Sequence, residues 1–509
     1  MLKSDEGRTV SFWEDSGELL QTQTLDASIE TDVCIIGGGI SGLTTAYLLV
    51  KAGKKVAVID DGLIGGGETS RTTAHLSNAL DDRIYRVEKW HGEEKAKLAV
   101  ESHAAAISEI ERIVLQENID CDFLRVDGFL IEAEDGEDDL EEEFEAAHRL
   151  GFSDIAFVER APIGDFDTGK CLRFPRQGQF HVLKYLAGLA RVIETSGGRL
   201  FSNTNAVEWQ GGDAPTVKTA DGRTVRASSI VLATNYPIMS KMFAELPAYR
   251  TYVIGARIPK ESVERCLIWD TADPYIYVRT QPDGDHDLLI VGGEDHRTGQ
   301  ESDDQSPFDR LWHWTRERFP MADEILYQWS GQYLETHDGL AFIGRYSDSE
   351  PDVYLITGDS GMGMTHGTIG GMLVSDLIGG RENPWQEVYE PTRILTQSIK
   401  EAVPEIVSST LPYVDWLKGG DVSSEDEINN GEGAIISRGT TKIAAYRDKD
   451  GVIHKRSAVC VHLGCIVRFN SIEKTWDCPC HGSRYGTDGH AINGPAFTAL
   501  AELEDDETS

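Results

Sequence analysis

The feature that most constrains the fold is a glycine-rich turn that follows an apolar stretch near the start of the chain. Residues 33–36 are apolar, and Gly37, Gly39 and Gly42 then fill the pattern Gly-x-Gly-x-x-Gly. A helical stretch follows, and a second apolar strand ends at Asp60. In a βαβ unit the first glycine permits a tight turn, the second lets the backbone approach a pyrophosphate, and the third lets the helix pack on the strand. The sequence therefore predicts a dinucleotide site in which Asp60 accepts the ribose hydroxyls; the alternative is a glycine turn in another α/β unit.

The charge balance restricts the partners that this chain can bind. Its 509 residues, enough for two to four domains, carry 86 acidic and 48 basic side chains, a formal net charge of −38. Such a surface repels nucleic acid and anionic membranes, so neither is expected as a partner. Adaptation to high salt and an ordinary acidic surface are both open as its cause. The first residues lack a signal-peptide pattern and no run of eighteen apolar residues occurs, which predicts a cytoplasmic protein without a membrane span.

Four of the eight cysteines are clustered near the C-terminus. They occur in the patterns Cys460-x-His462-x-x-Cys465 and Cys478-x-Cys480-His481. In a reducing compartment such a cluster indicates a metal or redox site before a framework of disulfides. Two thiolates and two imidazoles on two short loops are suited to zinc or to a [2Fe–2S] cluster. The spacing favours the cluster, because the Cys-x-His ligands are too close together for the usual zinc-finger loop.

The C-terminal pattern resembles the Rieske motif, with Gly494–Ala496 in the place of the proline loop, over roughly residues 431–503. The resemblance implies four cluster ligands and one disulfide: Cys460 and Cys478 on one iron, His462 and His481 on the other, and Cys465 bonded to Cys480. It also implies that Ser483 and Tyr485 donate hydrogen bonds to cluster sulfurs, which raise the reduction potential. A zinc ribbon is the alternative.

The remainder of the chain predicts an α/β domain with an inserted antiparallel sheet. Helices are predicted at Asp81–His91, Glu93–Gln116 and Phe180–Thr195. Three stretches of alternating polarity predict an antiparallel sheet that would carry the substrate site: Thr251–Ile258, Ile276–Thr280 and Leu288–Gly292. A further strand, Asp352–Thr357, leads into a second glycine-rich turn, Gly358–Gly367, and a helix to Leu377.

The first module resembles the glycine/D-amino-acid oxidase type of FAD-dependent oxidoreductase, with its glutathione-reductase type of α/β fold. The resemblance rests on residues 37–42, 66–74, 338–344 and 358–367, and it covers about 30–380. It implies that three parts of the chain contact FAD: the loop after the βαβ unit, the backbone of one residue near the adenine, and the second glycine-rich turn. In that order the residues are Arg71, Thr72, Thr73 and Ala74; Val207; and Gly361, Met362, Gly363 and Met364. Some relatives hold FAD through a cysteine, but residues 268–459 contain none, so FAD is expected to be non-covalent.

These assignments divide the chain into four parts. A polar lead-in, in which Phe12 and Trp13 are expected to dock on the main body, occupies residues 1–30, and the flavin domain occupies 31–380. A linker interrupted by prolines, with a helix predicted at Ile394–Ala402, covers 381–430, and a small all-β Rieske domain covers 431–509.

Catalytic residues are not identified by the sequence. His75, His337 and His366 lie in or near the glycine-rich turns, although a histidine there is more often structural. Arg257 and Arg279 lie on the alternating strands, where an arginine can pair with a substrate carboxylate or form a surface salt bridge. Tyr252, Tyr275 and Tyr277 either line the same pocket or fill the sheet.

The two modules together predict an FAD-dependent dehydrogenase with its own electron exit. A small amine or amino-acid-like substrate would give hydride to the flavin, and electrons would leave singly through the cluster to an acceptor protein or quinone. The sequence contains no second strand–Gly-x-Gly-x-x-Gly–helix unit for NAD(P)H, so the substrate itself is the expected reductant. The alternatives are a reductase that is fed through the cluster and a redox sensor or electron-transfer protein without enzymatic activity.

Overall fold

The structure is a computed structural model that describes residues 7, 9–133, 139–164, 166–236, 246–300, 305–393, 415–416 and 418–503. Within these ranges, no helix combines the length and the apolar character that crossing a membrane requires. The α-helices are Phe12–Ser16, Ile40–Lys51, Ile84–His91, Glu93–Glu117, Leu140–Arg149, Val182–Thr195, Ser306–Arg318, Gly363–Ile378 and Gln386–Tyr389. The predicted helix at 394–402 lies outside the described residues.

A six-stranded sheet forms the centre of the first module. Its strands are parallel except for the outermost pair, and in spatial order they are Phe342–Ser347, Glu350–Thr357, Ser229–Leu232, Val33–Ile36, Val56–Ile59 and Arg199–Phe201. The central strand Val33–Ile36 is buried along its whole length, as expected for a parallel sheet that is covered on both faces. Helices Ile40–Lys51 and Gly363–Ile378 pack together closely, because a Cβ at Gly371 would lie 2.6 Å from Thr44 Cγ2. The predicted α/β fold is confirmed.

A nine-stranded sheet, mostly antiparallel, forms the inserted part of the module. Eight strands follow the order Glu324–Leu334, Ala248–Pro259, His286–Arg297, Tyr277–Asp283, Leu267–Asp270, Leu124–Ile131, Cys171–Gln179 and His75–Leu76, and Ala156–Val158 pairs with Cys171–Gln179. The predicted antiparallel sheet is confirmed, but all three of its predicted strands are longer than expected. The strand that was expected to end at Gly292 continues to Arg297, because its pairing with Ala248–Pro259 carries on past the glycine pair.

Smaller elements complete the first module. A four-stranded sheet is built from Ile29–Glu30, Thr224–Arg226, Thr216–Thr219 and Ala206–Gln210. In the N-terminal segment, Phe12 and Trp13 are buried, and the Trp13 indole donates a hydrogen bond to the carbonyl of Thr72 at 2.6 Å. The expected docking of this segment on the main body is confirmed.

The C-terminal module is a small all-β unit with two sheets. One sheet contains Glu432–Arg438, Thr441–Arg447 and Ile453–Ser457, and the other contains Arg468–Asn470, Thr475–Asp477, Arg484–Gly486 and Ala491–Asn493. The segment before the first strand belongs to the same unit, because the backbone N–H of Asp421 donates to the carbonyl of Ile435 at 2.7 Å.

Candidate active site and cluster site

One cavity of about 460 Å³ is lined by residues of both large sheets and of the C-terminal module. Eleven of the predicted FAD-contacting residues line it: Gly37, Gly39, Asp60, Arg71, Thr72, Thr73, Val207, Gly361, Met362, Gly363 and Met364. Gly42 and Ala74 lie behind this wall. The structure therefore brings residues that are more than 300 positions apart in the sequence to one cavity.

The dinucleotide end of the cavity depends on the absence of side chains. Gly37 has φ +107°, in the region that favours glycine, and a Cβ there would overlap the carbonyl of Ala233. A Cβ at Gly42 would overlap the carbonyl oxygen of Gly37, so this glycine lets the helix pack on the turn. Asp60 accepts a hydrogen bond from the backbone N–H of Gly38 at 2.6 Å, which fixes the carboxylate at the rim of the turn.

Two helices begin at this cavity without a side-chain cap. Gly39 precedes helix Ile40–Lys51 and Met362 precedes helix Gly363–Ile378, and neither residue caps its helix through a side chain. The first turn of a helix presents N–H groups and the positive end of the helix dipole. Two such ends and a glycine cradle fit a pyrophosphate and an electron-rich ring, which are the anionic parts of a dinucleotide cofactor.

The predicted flavin-side loop is held from behind by Arg279. This buried guanidinium donates to the carbonyls of Thr73 at 3.2 Å and Ala74 at 2.8 Å. Arg257 is partly exposed and pairs with Asp323 at 3.0 Å. Neither arginine lines the cavity, so neither is placed to pair with a substrate carboxylate. That expectation is wrong for Arg279, whose guanidinium is bound by backbone carbonyls. Arg257 forms the surface salt bridge that was the alternative.

The far end of the cavity contains a carboxylate that the sequence analysis missed. The strands Ala248–Pro259 and His286–Arg297 shift register at Thr251, where Glu294 and Asp295 oppose this single residue. Glu294 has φ +59°, a strained conformation for a residue other than glycine. Such a β-bulge redirects side chains, and Asp295 lines the cavity while Glu294 pairs with Arg310 outside it.

Hydroxyl groups surround this end of the cavity. The Tyr333 hydroxyl donates to Asp295 Oδ2 at 3.0 Å, and the hydroxyls of Tyr277 and Thr251 lie 2.6 Å apart. Tyr275 and Tyr277 line the cavity, which was one of the two alternatives for the tyrosines. Tyr252 follows the other alternative, because it packs on Phe308 within the core. The only sequence signal for Asp295 was its place just beyond an alternating strand.

Burial changes the ionisation of several groups in the cavity wall. It raises the pKa of Asp295 to about 7 and that of Asp359 to about 7. It lowers the pKa of His75 to about 3 and that of His366 to about 4, so both imidazoles are neutral. His75 is held by Thr73 and Val278, and His366 by the carbonyl of Asp359 at 2.8 Å, which are structural roles. His337 is exposed and lies outside the wall.

The C-terminal module completes the cavity. Seven of its residues line the wall, including the predicted proline-loop region: Ala491, Ile492, Asn493, Gly494, Ala496, Phe497 and Thr498. Gln332, from the nine-stranded sheet, also lines the cavity and donates to the carbonyl of Gly482 at 3.1 Å. Gly482 follows His481, so a single side chain separates the cavity from a predicted cluster loop.

The two Cys/His loops of the C-terminal module have the same backbone pattern. In the first, Cys460 N–H donates to the carbonyl of Cys465 at 2.8 Å and Gly464 N–H returns to Cys460 at 3.0 Å. In the second, Cys478 N–H donates to Ser483 at 2.8 Å and Gly482 N–H returns to Cys478 at 3.0 Å. Two equivalent loops thus face each other across one site.

The side chains of these loops provide the expected donor set. Cys460 and Cys478 are free thiols, and the rings of His462 and His481 lie 5.0 Å apart between centroids. The sulfurs of Cys465, Cys478 and Cys480 lie within 4.8 Å of one another, but Cys465 and Cys480 are joined in a disulfide, which leaves Cys478 as the thiol of that group. Two thiols and two imidazoles fit a cluster that has one sulfur-ligated and one histidine-ligated iron.

Neighbouring groups act differently on the two thiols, since the hydrogen bond between Cys460 and Cys478, together with burial, raises the pKa of Cys478. The Tyr485 hydroxyl lies 3.1 Å from Cys460 Sγ, and the hydrogen bond with Cys478 lowers the pKa of Cys460. Burial lowers the pKa of His481 to about 4, so this imidazole is neutral, as a metal ligand must be.

Buried charges join the two modules. Arg71 Nη1 lies 3.2 Å from Glu473 Oε1, and both side chains are about 1% exposed. Burial opposes ionisation of Glu473, but Arg71, Arg250 and Arg484 outweigh it and lower its pKa to about 2. Ser330 also donates to Glu473 at 2.5 Å. Because this ion pair is enclosed, it fixes the C-terminal module on the flavin-side loop.

A parallel sheet with a glycine cradle, an inserted antiparallel sheet and a Cys₂His₂ loop pair define a flavoprotein oxidoreductase that carries an iron–sulfur module. The chain belongs to the DAO family of FAD-dependent oxidoreductases, whose model matches residues 32–377. A Rieske [2Fe-2S] domain model matches residues 420–504. The cofactors are therefore FAD and one Rieske-type [2Fe–2S] cluster.

Relatives share one or both modules. The YhfW protein of Bacillus subtilis (strain 168), whose name describes a Rieske 2Fe-2S iron-sulfur protein, is 31% identical to this chain over 504 residues. The match covers 97% of each chain. Gamma-glutamylputrescine oxidoreductase of Escherichia coli (strain K12) is 28% identical over 374 residues, or 70% of this chain and 85% of that one. Glycine oxidase from Geobacillus kaustophilus has a similar fold, with a TM-score of 0.60 at 19% identity over 72% of this chain and 99% of its own.

Proposed function

We propose that the protein oxidises a small amine or amino-acid-like substrate in the cavity and passes the electrons one at a time through the cluster to an external acceptor. The observation that carries this proposal is the shared cavity wall, in which the flavin domain and the Rieske module meet. When bound, FAD supplies an acceptor for the hydride of the substrate carbon, and the cluster supplies a one-electron carrier.

The residues that hold the cofactors are proposed as follows. Gly37, Gly39 and Gly42 shape the pyrophosphate site, and Asp60 accepts the ribose hydroxyls. Residues 71–74, Val207 and 361–364 contact the rest of FAD, without a covalent bond, since no cysteine is found among the described residues of the wall. The cluster is ligated by Cys460, Cys478, His462 and His481.

The protein itself positions the substrate and controls the surroundings of the reaction. The strand Ala491–Asn493 and Phe497 of the C-terminal module form one side of the wall. Arg279 fixes the loop at Thr73 and Ala74 through its hydrogen bonds to their carbonyls. A fixed loop holds its cofactor and substrate at constant separation, which orientation-dependent chemistry requires.

The names of two relatives support the substrate class. One is a gamma-glutamylputrescine oxidoreductase and the other a glycine oxidase, and both names describe compounds that contain an amino group. Four buried free thiols, Cys34, Cys121, Cys171 and Cys266, support a reducing, cytoplasmic location.

The surface beside the cluster loops supports an external acceptor. Val461 is 41% exposed and Leu463 is 51% exposed, and they flank His462 on the first loop. Exposed apolar side chains that surround a redox ligand are suited to transient docking of an acceptor protein or a quinone. Electrons would therefore leave at His462, the histidine that Val461 and Leu463 flank, because His481 is buried.

Anaerobic titration of the purified holoprotein with amines and amino acids tests the proposal, with visible absorption and low-temperature EPR recorded on the same samples. Bleaching of the flavin followed by a Rieske signal is the expected result. A flavin that stays oxidised, while dithionite still gives the Rieske signal, would reject amine oxidation. Turnover with a reduced ferredoxin as donor would then identify a reductase, and cluster reduction without any turnover would identify a sensor.

A further inference from the structure

The far end of the cavity, formed by the nine-stranded sheet, has an acidic wall with an unsatisfied acceptor. Asp295 lies on that sheet, and Asp81 and Asp359, which lie in loops outside it, also line the cavity. Asp295 Oδ2 accepts the hydrogen bond of Tyr333, whereas Oδ1 is buried and has no hydrogen-bond partner in the part of the chain that the structure describes. A buried acceptor without a partner is costly, so this position is suited to a ligand that brings a donor or a positive charge.

The basic side chains in the described wall are either uncharged or already bound to other groups of the protein. Across the described ranges, the basic residues that line the cavity are Arg71, Arg83, His75 and His366. Arg71 pairs with the C-terminal module, and Arg83 donates to the carbonyl of Asp270 at 3.1 Å. Both imidazoles are neutral, as shown above. A carboxylate on the substrate would therefore lie near acidic side chains. Among the described residues of the wall, every positively charged side chain is already bound to other groups of the protein.

Aromatic rings complete the same end. Tyr275, Tyr277, Tyr333 and Trp269 line the cavity, and the rings of Tyr275 and Tyr277 lie 5.4 Å apart between centroids. The faces of such rings attract cations, and they reject anions for the same electrostatic reason. The β-bulge at Glu294 adds to this arrangement, because it turns Asp295 toward the rings at the cost of backbone strain.

We propose that Asp295, together with Tyr275, Tyr277 and Tyr333, binds the protonated amino group of the substrate, and that the substrate is an alkylamine without an α-carboxylate. This inference rests on the proposed function and narrows its substrate class from amines and amino acids to amines. The ammonium donates to Asp295 and lies against the aromatic rings. It gives one proton to that carboxylate before hydride leaves the adjacent carbon, so that the product is an iminium ion. The acidic wall excludes the α-carboxylate of an amino acid.

Matched ligands test this inference. Oxidised holoprotein is titrated with butylamine and with 2-aminopentanoate, which differs only by an α-carboxylate, and binding is followed by the perturbation of the flavin spectrum. Butylamine is expected to bind at least tenfold more tightly. Equal or tighter binding of 2-aminopentanoate, or a spectrum that neither ligand perturbs, would overturn the proposal.

Variants identify the residue responsible. Asp295→Asn is expected to weaken butylamine binding at least tenfold and to change 2-aminopentanoate binding less than twofold. Glu294→Gln is the matched control, because its carboxylate pairs with Arg310 outside the cavity; at pH 8, where Asp295 is mostly ionised in both proteins, it should bind both ligands as the wild type does. If Asp295→Asn fails to retain FAD, Tyr333→Phe replaces it and should weaken butylamine binding two- to fivefold. Unchanged amine binding in the folded variant would reject Asp295 as the site.

Reduction of the flavin in the same samples separates this inference from the proposed function. Butylamine that binds through Asp295 without bleaching the flavin would support the recognition site and reject amine oxidation. Bleaching by 2-aminopentanoate, with butylamine inactive, would support oxidation of an amino compound and reject the inferred substrate class.

Discussion

The two cofactor sites of this chain are built in opposite ways. The proposed ligands of the cluster lie within 22 residues, 460–481, and the site depends on which side chains those residues carry. The flavin cavity takes its wall from residues 36–498, and its dinucleotide end depends on side chains that are missing at Gly37 and Gly42. A site made of donor atoms is encoded locally by residue type, whereas a cavity is encoded by how distant strands pack.

The contact between the two sites adds a third kind of interaction. Arg71 belongs to the flavin-side loop and Glu473 to the Rieske module, and their ion pair is fully enclosed. Enclosed ion pairs are weak net contributors to stability, but they are sensitive to the loss of one partner. The comparison therefore predicts three different responses to substitution: loss of a ligand, loss of a charge partner and overlap in a glycine cradle.

The largest effect is expected at the cluster. Cys478→Ser removes one of the two free thiols of the loop pair, so the iron content of the purified protein should fall from two atoms per chain to none and the Rieske EPR signal should vanish. Cys266→Ser, which alters an equally buried thiol far from these loops, should leave both unchanged. Retention of the EPR signal in Cys478→Ser would show that the ligand set is assigned incorrectly.

The next effect concerns the contact between the modules. Glu473→Gln leaves the Arg71 guanidinium buried without its counter-charge, which typically costs about 3–5 kcal/mol. Guanidinium unfolding of the holoprotein should show this loss. Glu432→Gln breaks the neighbouring, partly exposed pair with Lys474, for which a cost below about 1 kcal/mol is expected. Similar losses in the two variants would mean that the enclosed pair does not hold the modules together.

A smaller effect is expected in the glycine cradle. Gly42→Ala puts a methyl group onto the carbonyl of Gly37, and such overpacking costs about 1–3 kcal/mol. Because the helix must move away from the pyrophosphate site, the loss should appear as a raised Kd for FAD, measured by fluorescence after removal and re-addition of the cofactor. Gly419→Ala, at a glycine with open space around it, is the control. An unchanged Kd in Gly42→Ala would place the pyrophosphate elsewhere.

The smallest effect is a pH dependence at the far end of the cavity. Burial raises the pKa of Asp295 to about 7, while Asp81, Glu294, Thr251 and Tyr333 are the groups that act on it. The ionised form is the one that binds an ammonium, so affinity for butylamine should rise by about tenfold from pH 6 to pH 8, since alkylamines stay protonated below about pH 10. Asp295→Asn should give a flat profile, and affinity that falls with rising pH would contradict the assignment.

The elements that sequence patterns predict well are those with local causes. The glycine turn, the helix Glu93–Glu117 and the Cys/His loops follow from short-range spacing, and the structure contains each of them. The strand predicted to end at Gly292 shows the limit. Two consecutive glycines have low strand propensity, yet pairing with a long neighbouring strand extends the element to Arg297 and brings Asp295 into the cavity.

The arginines show the same limit for the site. Arg279 was a candidate partner for a substrate carboxylate, since it lies on an alternating strand of the inserted sheet. Its side chain instead lies in a shell of backbone carbonyls, which only the folded loop at Thr73 and Ala74 provides. Whether a charged side chain faces a ligand or supports a loop depends on neighbours that are distant in the sequence.

The sequence by itself determined the two modules, the dinucleotide turn and the cluster donor set, because each depends on residue type at fixed short spacing. Only the tertiary structure decided how the modules meet, that the Rieske module closes the flavin cavity, and that Asp295 and three tyrosines form its far end. The physical reason is that burial, which sets both the pKa of Asp295 and the strength of the Arg71–Glu473 pair, belongs to the packed molecule and to no single stretch of the chain.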